Sequence, residues 1–292
     1  MDDQAEITVE ANPGTIDEHY LTELKKAGVS RLSLGVQSFR QEDLVVLGRI
    51  HSGIEAKMAF AAAKRAGFTN INLDLMYGLP GQTSRDWQDT LLQALALQPR
   101  HLSAYQLTLE DQTPLRKAVD EGVLAMPPED EVVAMDEATE QLCLGAGLVH
   151  YEISNFADEG YQCRHNVNYW QNGEYFACGA ASVSYVQGRR ERRIANPLGY
   201  SERLSQGVTP IVEVEELSRE ASFRETVVMG LRLTEGLDRE SLRYRFGLEI
   251  EGYYGEVLQK LQRQGLIEMT AANLRLSKRG RRFANIVLAE LV

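Results

Sequence analysis

Lys26-Ala27-Gly28-Val29, Arg65-Ala66-Gly67-Phe68 and Gly145-Ala146-Gly147-Leu148 decide the fold. In each, a helical pattern closes on a glycine and an apolar residue opens a strand-like run. A glycine just past a helix adopts the left-handed conformation and satisfies the last carbonyls, while the next apolar residue packs back on the helix. The first two glycines are 39 residues apart and the third lies 80 further on. The repeat is therefore about 40 residues, with one unit closing differently at Gln98-Pro99. Helix–Gly–strand at this period predicts βαβ units and a parallel sheet.

Working outward, the strands are predicted at 7–11, 31–37, 70–76, 102–108 and 151–156. The intervening helices are amphipathic. In 83–98, Trp87, Leu91, Leu92 and Leu95 form one apolar stripe, and Thr83 with Asp86 makes a capping pair. No strand is followed by G-x-G-x-x-G, so a barrel, or part of one, is preferred over a doubly wound dinucleotide fold. Polar residues fall toward the carboxyl ends of these strands: Glu10, Gln37, Asp74 and Gln106. In a parallel barrel that rim binds ligands. Taken singly, each reads as well as a satisfied strand-end cap. The run Asp74 to Gly81 ends in Gly-Leu-Pro-Gly, a tight turn after a buried strand.

A length of 292 residues suits two domains. Residues 217–292 carry 13 Lys+Arg against 10 Asp+Glu, net +3, whereas the remainder carries 18 against 32, net −14. This change predicts domains at 1–205, with a special segment at 163–185, and at 210–292. In the second, helices at 223–231, 238–246 and 253–264 precede a hairpin of 266–269 with 274–276 and a last helix, 278–291. Three helices and a two-stranded wing make a winged-helix pattern. Its third helix sets Glu256 against Lys260 and Arg263 without a basic face, and the whole chain carries −11, so no nucleic-acid partner is expected. A protein-facing module is the better reading. No apolar run approaches the ~18 residues of a membrane span, and no secretory leader is visible. Cys143, Cys163 and Cys178 fit neither a disulfide framework nor a zinc ribbon, which suits the cytoplasm.

His165-Asn166-Val167-Asn168-Tyr169-Trp170 gathers an imidazole, two amides, a phenol and an indole within two turns of backbone. This set offers an axial metal ligand, hydrogen bonds to orient it and flat rings to cover a planar ligand, which is what a haem needs. An isolated histidine beside aromatics is also simply packed structure. Cys163, two residues earlier, is a further thiolate option for haem iron, with a buried thiol as the plainer reading.

Five ordered motifs carry a resemblance: Glu10-Ala11-Asn12-Pro13; Arg31-Leu32-Ser33-Leu34-Gly35-Val36-Gln37-Ser38-Phe39; Leu47-Gly48-Arg49-Ile50-His51; Asn72-Leu73-Asp74-Leu75-Met76-Tyr77-Gly78-Leu79-Pro80; and His165 to Trp170. Together, over essentially the whole chain, they resemble the HemW family of radical SAM haem chaperones, relatives of oxygen-independent coproporphyrinogen III oxidase. The resemblance implies a partial (β/α) radical-SAM-type barrel, an α/β fold, with the winged-helix-like α+β domain behind it. It implies that Glu10, Gln37, Arg49 and Asp74 contact S-adenosylmethionine. It further implies that His165, Asn166, Tyr169 and Trp170 bind haem, with His165 the candidate ligand of the haem iron.

Two departures accompany it. The family's early C-x-x-x-C-x-x-C, which holds a [4Fe–4S] cluster, is absent, as is its Gly-Gly-Thr-Pro turn. The expectation is an N-terminally shortened family member, lacking on the order of 100 residues, that does not assemble the cluster. After the haem motif, Val183 stands where the family's G-x-G-A-H-S-like stretch has a histidine. The implied activity is haem binding and transfer to acceptor proteins, without oxidase chemistry, in a chain able to form homodimers. The alternatives are a porphyrinogen-oxidising radical SAM decarboxylase, and a barrel fused to a protein-interaction module without haem.

Overall fold

The computed structural model describes residues 4–292. They form two compact units, the first ending at Gln162 and the second running from Cys163 to Val292. The division thus falls before the haem-motif segment rather than near residue 205. The reason is local: once past Cys163, the chain bonds to later helices. Asn172 donates to Thr226 Oγ1 at 3.0 Å and its carbonyl accepts from Arg245 at 3.0 Å.

The first unit is built on a six-stranded sheet: β1 (Thr8–Ala11), β2 (Arg31–Gln37), β3 (Asn70–Tyr77), β4 (His101–Gln106), β5 (Val149–Glu152) and β6 (Asn155–Ala157). Its order is β1-β2-β3-β4-β6-β5, with β1 to β4 mutually parallel. The three diagnostic glycines behave as their positions predict. Gly28, Gly67 and Gly147 have φ of +98°, +87° and +87°. The amides after them, of Val29, Phe68 and Leu148, reach back to the carbonyls of Leu24, Ala63 and Cys143 at 3.1, 3.0 and 2.9 Å. These are helix-closing bonds that a side chain at the glycine would strain.

The last predicted strand, 151–156, is instead an antiparallel hairpin. β6 turns back between β4 and β5, pairing antiparallel with both. Its turn is held by the buried Glu152 carboxylate, which accepts from the Asn155 amide.

Alternation along the strands gives the sheet two unlike faces. Leu32, Leu34, Ile71, Leu73, Leu75 and Leu102 lie on the face covered by helices and share one core with Leu21, Phe60, Trp87, Leu91 and Met135. The alternate positions, Ser33, Asn72, Asp74, His101 and Ser103, belong to the other face, where register aligns Glu10, Ser33, Asn72 and His101 in one row. A sheet with helices on one side and polar side chains on the other is what places a ligand site.

Helix Ser84–Ala96 shows how closely helical phase decides burial. Thr83 and Asp86 form the expected capping box, with the Asp86 amide 3.2 Å from Thr83 Oγ1 and the Thr83 amide 2.9 Å from Asp86 Oδ2. Trp87, Thr90, Leu91 and Ala94 are the buried face, while Leu92 is 50% exposed and leaves the predicted stripe. The Trp87 indole donates to Thr139 Oγ1 at 2.8 Å, tying this helix to helix Glu129–Gly145.

The second unit holds two small sheets. β7 (Val183–Val186), β8 (Arg189–Arg193) and β9 (Ile211–Glu216) form an antiparallel meander, which the apolar pattern does not reveal because β8 is entirely charged. Paired positions of β8 and β9 are also joined by ion pairs, Arg190 with Glu215 at 2.8 Å and Arg192 with Glu213 at 3.2 Å. β10 (Leu237–Asp238), β11 (Ile267–Met269) and β12 (Asn273–Leu276) are arranged β10-β12-β11 as the predicted wing. Asp238 caps helix Arg239–Phe246 as expected. The predicted third helix is broken by Gly255, at φ +44°, into Ile250–Tyr254 and Glu256–Arg263. The last helix is broken at Phe283 into Lys278–Arg282 and Ala284–Ala289. Among the described residues, no helix is long and apolar enough to cross a membrane.

Removing the fully buried Trp87 side chain with Trp87→Ala should cost about 3–5 kcal/mol, whereas Leu92→Ala at its exposed neighbour should cost no more than about 0.5 kcal/mol. Urea unfolding followed by circular dichroism distinguishes the two.

Candidate functional site

The polar face of the first unit is organised around Asn72. Buried at mid-sheet on β3, its amide nitrogen lies 2.7 Å from Ser33 Oγ on β2, 3.0 Å from Ser103 Oγ on β4 and 2.8 Å from Asp74 Oδ1. Its carbonyl oxygen lies 2.7 Å from His101 Nδ1. Ser33 donates to the other Asp74 oxygen at 3.0 Å. Burial lifts the Asp74 carboxyl above its usual range, against the lowering effect of hydrogen bonds from Ser33, Ser103 and Asn72; the Glu10 carboxylate pushes it further up. The Glu10 and Asp74 carboxylates thus lie on one face of the sheet, and the side chains that bond Asp74, Ser33 and Asn72, are neutral. A cationic or hydroxyl-rich ligand suits that arrangement.

At the carboxyl end of the same sheet, Gln37 and Arg49 are brought together by Asn12. Gln37 sits at an irregularity of β2 in a left-handed conformation, φ +64°, unusual for a residue with a side chain. That turn folds its amide back over Gly35. A Cβ at Gly35 would meet Gln37 Nε2 at 3.3 Å and Asn12 Oδ1 at 3.4 Å. Arg49 Nη1 donates to Asn12 Oδ1 at 3.1 Å. The loop carrying Arg49 is pinned by His51, whose buried ring lies 3.1 Å from the Val36 carbonyl oxygen. Glu10 and Asp74 therefore form one group, and Asn12, Gln37 and Arg49 a second on the rim. Gln106, the fourth strand-end residue, is exposed and packs beside Gly78.

In the second unit, His165 to Trp170 lie in helix Arg164–Trp170, entered through the buried Cys163. Helical spacing of four puts His165 and Tyr169 on one face. Their rings meet edge to face at 4.7 Å, and Tyr169 continues to Tyr175 at 4.5 Å. His165 is exposed. Trp170 is set apart: five residues on from His165, it turns to the Arg232 guanidinium, 5.2 Å from its ring centre. Asn166 shares that second face by its spacing of four from Trp170. Asn168 serves the helix end, donating to the Glu174 carbonyl at 3.1 Å. Val183, at the position of the family's histidine, begins β7.

The three cysteines do not converge. Cys143 belongs to the helix-packed core of the first unit, its thiol pushed up to about 12 by burial; Cys163 is buried in the second unit, and Cys178 is exposed. Among the described residues, no group of three or more His, Cys, Asp or Glu side chains is placed to hold a metal ion. The separated cysteines among the described residues do not make a ligand set for a [4Fe–4S] cluster.

Several site residues escaped the reading by strand ends. Ser33, Asn72, His101 and Tyr151 become visible only through register, although two of them lie within the quoted motifs. Asn12 had a signal, since it follows Glu10 by two positions at the end of β1.

Comparison with known proteins agrees with the fold and its two units. The profile of the Radical SAM superfamily matches residues 1–94, and that of the HemN C-terminal domain matches residues 217–283. The crystal structure of coproporphyrinogen III oxidase (HemN) from Escherichia coli, a radical SAM enzyme, superposes with a TM-score of 0.85 at 20% identity, covering 99% of this chain and 70% of that one. Fold and profiles together define a protein of the radical SAM type. The haem chaperone HemW of Bacillus subtilis is 34% identical over 285 residues, 98% of this chain and 75% of that protein. HemW of Escherichia coli is 43% identical over 201 residues, 67% of this chain and 52% of its own length. The chain belongs to the HemW family of haem chaperones.

Burial, with Arg31 nearby, holds the His101 imidazole well below its ordinary value of 6.5, so the folded protein keeps it neutral. The unfolded chain takes up a proton below about pH 6.5 and the folded chain does not, so this residue's share of stability is present above that pH and lost as pH falls. Relative to His101→Asn, the wild type should lose about 1.4 kcal/mol more per pH unit below 6.5. Urea unfolding at pH 7.5 and 5.5 checks this.

Proposed function

We propose that this chain is a haem carrier, binding haem at the helix Arg164–Trp170 and handing it to acceptor proteins. The observation that carries the reading is the exposed His165 imidazole set against Tyr169 and Tyr175 in one aromatic row. An imidazole is a haem-iron ligand, and flat rings beside it give the porphyrin edge an apolar contact. Asn166 stands with Trp170 on the second helix face, to the side of the His165 row. Trp170 contributes by packing against Arg232, which stiffens the helix, more than by covering the haem. An accessible face suits a cargo that must be passed on. The relatives are haem chaperones, which agrees with this reading, and cysteines without disulfides suit a reducing, cytoplasmic setting.

On the first unit, the reading is a site for S-adenosylmethionine. Asp74 and Glu10 would face its ammonium, sulfonium or ribose hydroxyls, Arg49 its carboxylate, and Gln37 its ribose or adenine. The pair of carboxylates supports a cationic ligand there. Bound S-adenosylmethionine would supply the sulfonium chemistry of the superfamily; this chain's own side chains bind and orient it.

Titrated with haem and followed by Soret absorbance, the full chain should bind at micromolar or lower Kd with a shifted band. His165→Ala should weaken binding at least about tenfold, or ~1.4 kcal/mol, and abolish the shift. Equal, unshifted binding in both proteins would reject His165 as the ligand. Conversion of coproporphyrinogen to protoporphyrinogen by the chain would favour an oxidase instead. Calorimetry with S-adenosylmethionine should show Asp74→Ala about tenfold or more weaker than wild type; a change under twofold would remove Asp74 from that site.

A further inference from the structure

We propose that His101 is the positioning residue of the Asp74 carboxylate, acting through Asn72 and held in one tautomer by Tyr151. Its importance for ligand binding rests on the reading of Asp74 as an S-adenosylmethionine contact. His101 is fully buried, at 0% exposure, yet sits among polar partners on the ligand-facing side of the sheet. Its Nδ1 lies 2.7 Å from Asn72 Oδ1 and its Nε2 lies 2.8 Å from the Tyr151 hydroxyl. Both of its ring nitrogens are paired, and one of the two bonds leads through Asn72 to the carboxylate.

The direction of bonding follows from chemistry. An ionised Asp74 only accepts, so Asn72 must turn its N–H to it, at 2.8 Å. Asn72 then presents its carbonyl oxygen to His101, which must carry its proton on Nδ1. In a neutral imidazole Nε2 is then an acceptor, and Tyr151 donates to it. The relay runs Tyr151 O–H to His101, His101 N–H to Asn72, Asn72 N–H to Asp74. The reverse direction is also self-consistent, but it needs a proton on Asp74 and moves the His101 proton to Nε2. An ionised Asp74 therefore fixes the tautomer of His101. The charged and titratable groups around the relay are Glu10 on β1, Arg31 on β2, Tyr105 on β4 and Glu152 on β5. Arg31 is itself buried, and its cation opposes a second proton on His101.

The test uses the full chain without ligand, labelled with 15N-histidine and 13Cγ-aspartate. Long-range 1H–15N correlation at pH 7.5 should show the Nδ1–H form of His101, the minor tautomer of free histidine, identified by its loss in His101→Asn. An Nε2–H or doubly protonated ring would overturn the proposal. Tyr151→Phe, which leaves Asn72 and Asp74 in place, should release the tautomer and raise the Asp74 carboxyl titration by about half a pH unit, a threefold change in its acid constant. His101→Leu should raise it at least as much. His101→Asn, which keeps an N–H where Nδ1 lies, should restore the wild-type titration. An Asp74 titration unmoved by Tyr151→Phe and by His101→Leu would leave His101 a packing residue and sink the idea. Calorimetry on the same variants with S-adenosylmethionine should show Tyr151→Phe three- to tenfold weaker. If the wild type does not bind S-adenosylmethionine but the tautomer and titration results hold, the ligand assignment fails and the positioning of Asp74 stands.

Discussion

The first unit depends on the satisfaction of one buried amide. Asn72 stands at the middle of the sheet, where a solitary polar side chain would cost several kcal/mol. Its bonds to Ser33, Ser103, Asp74 and His101 meet that cost by drawing partners from the strands on either side. Register is thereby specified twice. The helix-covered face specifies it by apolar packing, and the opposite face specifies it by hydrogen-bond geometry. A one-residue slip of β3 would bury Asn72 among leucines and turn Leu73 toward the ligand side. The polar face is thus part of what makes the fold unique.

How much of this was legible in the chain depends on the range of the signal. Gly28 and Gly67 announce the βαβ repeat because a helix end is a local event, and they lead directly to β2 and β3; Gly147 marks the helix end before β5 but not the hairpin that follows. The capping pair Thr83–Asp86 and the cap Asp238 were legible for the same reason. The pairing of Arg190 with Glu215 was not, because β8 carries no apolar residue to mark it as a strand and the attraction acts across 25 residues of sequence. The hairpin of β5 and β6 was read as one strand because its turn contains no glycine or proline. Helix breaks at Gly255 and Phe283 lie inside patterns whose apolar period continues through them.

The candidate sites divide in the same way. Glu10, Gln37, Arg49 and Asp74 could be nominated from strand ends and motifs, but their grouping could not. Arg49 reaches Asn12 across 37 residues, and Glu10 and Asp74 come onto one face of the sheet only once β1 and β3 flank β2. The motif His165 to Trp170 looked like a single cluster in sequence. Helical phase splits it, sending His165 with Tyr169 one way and Trp170 another. Proximity along the chain is a poor guide to proximity in space when 100° of rotation separates neighbours.

The two sites also differ in how they are built. The polar face of the sheet is rigid, framed by four parallel strands and a dense core. His165 rides on a helix of seven residues, a length that is not stable by itself in water. Its order is borrowed from the bonds that Asn168, Asn172 and Arg245 make at its far end. Unwinding one turn there is a local opening, far cheaper than unfolding the unit, and it would carry the imidazole away from Tyr169. Anything held by that imidazole would be released by fraying of the perch alone, while the scaffold beneath it stays folded.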